Sequence, residues 1–139
     1  MSRLGVILAV GGFAATVWYF FGPLGSAGFG YPGTDAYVAY ERANRLASVP
    51  LLIHLAGWIL LIRDRGFRSV VAIGALGSLM MLAGNLGEFW IFSQDSYASA
   101  TRNLSWFTFL LGALLAIVGL IALAVRRLTR LTAHYTPVA

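Results

Sequence analysis

Apolar residues along this chain gather into four long runs, at residues 4–21, 46–62, 69–92 and 104–125. A membrane-spanning helix needs about 20 mostly apolar residues. Three of the runs reach or approach that length. The second is shorter but follows helix-compatible sequence. Membrane β-strands would alternate polar and apolar positions, and these runs do not. The pattern predicts an all-α, polytopic membrane protein: one domain of four transmembrane helices packed as a bundle. The first run follows Arg3 and precedes the small residues Ser26 and Ala27, as a cleaved signal would. Its apolar stretch is long for a signal core, so it reads as a true span.

The segments between the runs differ in kind. Residues 22–33 carry five glycines and two prolines, which predicts an irregular exposed loop. Thr34 or Asp35 can then cap a helix. Glu41 and Arg45 stand four apart, a spacing that supports helix. The second helix is therefore expected to run from about Ala36 to Ile62, about 40 Å at the standard rise. Its first turns would stand outside the bilayer, and Pro50 would kink it near the point of entry. Small residues recur every three, four or seven positions: Gly5, Ala9, Gly12 and Thr16; Gly74, Gly77, Ser78 and Gly84; Gly112, Ala116 and Gly119. Such faces let helices approach closely in lipid. The two halves also resemble each other faintly, which suggests two helical hairpins in parallel repeat.

Composition agrees. Hydrophobic residues are 59% of the chain and charged ones 11%, against about half and a quarter in soluble domains. The chain has no cysteine, which removes disulfides, thiolate metal sites and iron–sulfur clusters. All ten basic residues are arginine. Their distribution argues against nucleic acid and for membrane topology. Arg3, Arg63, Arg65, Arg68, Arg126, Arg127 and Arg130 fall at one end of the spans. Arg42, Arg45 and Arg102 fall at the other, diluted by Asp35, Glu41 and Asp95. By the positive-inside rule the first end is cytoplasmic, with both termini. Lysine-free usage rich in alanine and glycine suggests a bacterial chain, hence the inner membrane.

Aromatic residues cluster at the opposite, outer end. They include Trp18 on span one, Trp90 on span three and Trp106 on span four. They form an interfacial belt or the walls of an outward-facing pocket. Polar residues within spans are costly and carry a functional hypothesis by default. Asn85 and Glu88 share a face of span three. Glu88 can pair with Arg45 or Arg102, or bind a proton, a cation or a ligand amine. His54 lies near the middle of span two. It can donate to a backbone carbonyl on a neighbouring helix, or serve as a single haem or metal ligand. No enzymatic motif appears, and no cofactor can be named. The expected role is a binding or accessory subunit, not an enzyme. Its outer site would be formed by Asn85, Glu88, Arg45, Arg102, Trp18, Trp90 and Trp106. The ligand would be a hydrophobic or amphipathic molecule, such as a lipid, quinone or pigment, or a partner membrane protein. The alternatives are a small proton-coupled transporter using Glu88 and a haem or metal protein using His54. Beyond the lipid bilayer, a homo-oligomer or a larger membrane complex is the expected assembly.

Overall fold

A computed structural model describes residues 2–24, 26, 34–63, 65–93 and 99–133. Helix α1 covers Arg3–Tyr19 and continues as one wide π turn over Phe20–Leu24. Helix α2 covers Asp35–Leu61. A 3-10 turn at Arg65–Phe67 leads into α3, Arg68–Ser93, and α4 covers Ser99–Ala133. All four are long and apolar enough to cross a membrane, and the protein is a multi-pass helical bundle.

Local chemistry sets the helix starts. Ser2 caps α1 by accepting from the Gly5 amide at 3.2 Å. Thr34 caps α2 by accepting from the Tyr37 amide at 3.3 Å. Asp35 follows in the first turn, where a negative charge suits the helix dipole. The early start and length of α2 match expectation. Pro50 lies buried within this continuous helix. Helical structure also persists past Gly22 and Pro23 as far as Leu24, where an irregular loop was expected. The i→i+5 bonding of a π turn carries the chain around a proline that has no N–H. Leu24 then packs with Tyr19, Phe20, Tyr40 and Ala43. The rest of the glycine-rich stretch lies outside the described residues, apart from Ser26.

Each pair of sequential helices meets along a small-residue seam. Gly5, Ala9, Gly12 and Thr16 form the buried face of α1. A methyl group on Gly12 would lie 2.4 Å from the His54 amide nitrogen, and one on Gly57 would lie 2.2 Å from that of Ala9. The backbones of α1 and α2 are therefore in direct contact. In the second hairpin, a methyl on Gly77 would lie 2.5 Å from the Ala116 nitrogen, and one on Gly112 would lie 2.6 Å from that of Met81. The α2–α3 contact joins the hairpins. Trp58 of α2 is fully buried there. Its indole lies against Gly74 of α3 and reaches Gly119 of α4, within a core that includes Ala9, Phe67, Val71 and Leu123.

The outer faces carry the opposite pattern. Ile7, Leu52, Ile59, Leu76, Leu114 and Ile121 are all exposed. So much exposed hydrocarbon suits lipid and not water. At the arginine-rich end, Arg126 donates to the Gly66 carbonyl at 3.1 Å. Arg130 lies over the Phe67 ring, 4.2 Å from its centroid. These contacts tie the end of α4 to the turn before α3.

Candidate functional site

The polar groups at the aromatic end converge between helices. Tyr40, Asn44 and Ser48 recur every four residues and so share one face of α2. Asn85 and Glu88 face them from α3. Asn85 uses its amide nitrogen twice, donating to the Asn44 carbonyl at 3.2 Å and to Ser48 Oγ at 3.0 Å. Ser105 of α4 comes close because α3 has glycine opposite it. A methyl on Gly87 would lie 2.6 Å from Ser105 Oγ, and one on Gly84 would lie 2.6 Å from the Ser105 carbonyl.

A small pocket remains among these residues. Its wall includes Tyr40, Asn44, Asn85, Glu88 and Ser105, together with Phe20, Leu24, Trp106 and Phe109. The Phe20 and Phe109 rings stack with centroids 4.4 Å apart. The pocket offers about 10 Å³ to the centre of a water-sized group, room for one such group. Asn44, Asn85 and Glu88 are only 2%, 3% and 4% exposed. Two buried amide atoms of these lining residues have no hydrogen-bond partner: Asn44 Nδ2, a donor, and Asn85 Oδ1, an acceptor. Each such atom costs about 1–3 kcal/mol while unsatisfied.

The pocket unites some of the residues expected at the outer site and leaves others out. Asn85, Glu88 and Trp106 come together. Trp18 and Trp90 are 67% and 57% exposed, in the outward attitude of an interfacial belt. Arg45 bonds Glu41 on its own helix at 2.6 Å, and its side chain is 61% exposed. This ion pair is local to α2. The side chain of Arg102 lies outside the described residues. Tyr40, Asn44, Ser48 and Ser105 were not singled out as site residues from the sequence. The four-residue spacing of the first three was a usable signal, since it places a polar stripe on a largely apolar helix.

His54 occupies a separate place in the α1–α2 seam. It is fully buried, with Nδ1 2.6 Å from the Ala9 carbonyl and Nε2 accepting from Trp58 Nε1 at 3.2 Å. A carbonyl only accepts and an indole N–H only donates. The ring is therefore the neutral tautomer with its proton on Nδ1. The Phe13 ring packs beside it at 5.3 Å. Both ring nitrogens are engaged within the protein, so this geometry leaves neither to a haem iron or metal. Among the described residues no cluster of three or more metal-ligating side chains occurs. The chain matches no protein family, no curated protein and no solved structure.

Proposed function

We propose that this protein is a small integral membrane subunit that binds rather than catalyses. The pocket among Asn44, Asn85, Glu88 and Ser105 takes the polar end of a hydrophobic or amphipathic molecule: a lipid, quinone or pigment. The observation that carries this reading is the pair of unsatisfied buried amide atoms on two residues that line the pocket from facing helices. Buried polar atoms almost always find partners, and a bound polar group supplies both at once. The rings of Phe20, Trp106 and Phe109 are partly exposed, which lets an apolar body continue from the pocket toward lipid.

Asn44→Leu tests the reading. It removes an unpartnered buried donor at similar volume and keeps the backbone carbonyl that Asn85 uses. Stability should be unchanged or higher, by up to about 1–3 kcal/mol. Mass spectrometry after mild detergent extraction should find a small molecule with the parent and lose it with the variant. Equal co-purification from both proteins contradicts the role given to the pocket.

The burial of Glu88 beside a water-sized space favours a second reading, a proton-coupled transporter. Proteoliposome uptake driven by a pH gradient, abolished by Glu88→Gln, would select it. The arginine distribution supports placement in a bacterial inner membrane with the arginine-rich end and both termini in the cytoplasm. A cysteine introduced at Arg65, in this cysteine-free chain, should react with impermeant reagents only after the cells are opened. Labelling in intact cells contradicts that orientation.

A further inference from the structure

At the arginine-rich end, two guanidinium groups of α4 converge on the turn between α2 and α3. Gly119 and Leu123 are buried on α4, and Arg126 and Arg130 follow them at spacings of three and four, on the same helix face. Helix packing therefore aims both arginines at the turn. Arg126 Nη1 donates to the Gly66 carbonyl at 3.1 Å. A methyl built on Gly66 would lie 2.1 Å from Arg130 Nη2. Gly66 itself is small, so the two nitrogens stand no more than about 8 Å apart. Two charge-assisted hydrogen bonds to the free oxygens of one phosphodiester bridge about that width. Donors remain for it. Arg126 spends one of its five N–H groups on Gly66, and Arg130 rests the face of its guanidinium over Phe67, 4.2 Å from the ring centroid.

The charge balance at this end favours an anion. Seven arginines stand there with one aspartate, Asp64, which lies outside the described residues. The described carboxylates, Asp35, Glu41 and Glu88, lie toward the opposite end of their helices. The surroundings of the arginines identify the source of the anion. Leu4 on α1, Ile62 just past α2, and Val125 and Leu128 on α4 are all exposed. The hydrocarbon boundary therefore reaches the level of the arginines, and the two guanidinium groups sit at headgroup depth. A soluble polyanion gains nothing from that apolar rim. A zwitterionic lipid brings its ammonium group among the arginines, whereas an anionic lipid does not. We infer that Arg126 and Arg130, held at Gly66 and Phe67, clamp the phosphodiester of an anionic phospholipid.

Native mass spectrometry of the full chain in neutral detergent tests this, with phosphatidylglycerol and phosphatidylcholine of matched acyl chains as probes. One arginine beside an anionic headgroup is worth about a fivefold change in binding. The parent should retain phosphatidylglycerol over phosphatidylcholine by at least about that factor. Arg126→Gln and Arg130→Gln should each reduce retention of phosphatidylglycerol about fivefold. Arg127→Gln removes the same charge from a neighbouring face of α4 and should keep the preference. Gly66→Ala keeps every charge, and its methyl displaces only the flexible tip of Arg130. It should weaken the preference without lowering the melting temperature. Equal retention of the two lipids, an equal loss from Arg127→Gln, or an unchanged preference in Gly66→Ala overturns the clamp. Displacement of the lipid by millimolar inorganic phosphate overturns the lipid as its ligand. If an arginine variant does not fold, the parent and Gly66→Ala decide.

Discussion

Gly57→Ala perturbs the α1–α2 seam by a single methyl group. That methyl would sit 2.2 Å from the Ala9 nitrogen and 2.7 Å from the Ala9 Cα. Both are backbone atoms of a rigid helix and cannot swing aside as a side-chain tip can. Ordinary contact requires the helices to part by about 1 Å, an overpacking strain of about 1–3 kcal/mol. The same displacement stretches the 2.6 Å contact from His54 to the Ala9 carbonyl beyond hydrogen-bonding reach. A buried bond lost in this way costs about 1–3 kcal/mol. The better helix propensity of alanine returns up to about 1 kcal/mol. The net expectation is destabilisation by about 2–4 kcal/mol, from the terms just given. Gly11→Ala is the matched control, because a methyl at Gly11 meets nothing within 4 Å. It should leave stability unchanged or raise it by up to about 1 kcal/mol, the helix propensity that alanine gains over glycine. Reversible unfolding in mixed micelles measures both variants. If the two unfold alike, the close α1–α2 seam is wrong.

The remaining predictions concern single contacts. His54→Ala removes the link to Ala9, leaves the Trp58 N–H without its acceptor and opens a cavity. It should cost about 3–5 kcal/mol, and adding Trp58→Phe should recover part of that loss. An unchanged melting temperature for His54→Ala would refute the structural role of the ring. Arg45→Ala should cost less than about 1 kcal/mol, since the Arg45 side chain is largely exposed. A loss of about 3–5 kcal/mol, the size expected for a broken buried pair, would instead assign Arg45 to Glu88.

Much of the bundle is legible in the chain because lipid imposes simple rules. Span number follows from hydrocarbon thickness. The seams follow from residues whose small size has one main use in a membrane. All of the small-residue positions singled out on α1, α3 and α4 are buried. The length of α2 follows from Thr34, Asp35 and the Glu41–Arg45 spacing, which are local signals. The site is less legible because it depends on which faces of different helices meet. Nothing in the run around Asn44 states that this face meets Asn85, and neither partner is charged. The Arg45–Glu41 pair is legible in the same local way, because Glu41 lies one turn away and costs no long-range ordering to reach. Trp18, Trp90 and Trp106 are similar in sequence terms. Only helix rotation separates the one that lines the pocket from the two that face outward.

The most direct test of the central claim is a density map of the protein in lipid nanodiscs, read at the pocket among Asn44, Asn85 and Glu88. The account predicts a polar group hydrogen-bonded to Asn44 Nδ2 and Asn85 Oδ1. That group should be continuous with an apolar body running past Phe20 and Trp106. An isolated water at that position, or amides turned to satisfy one another with the space closed, would contradict it.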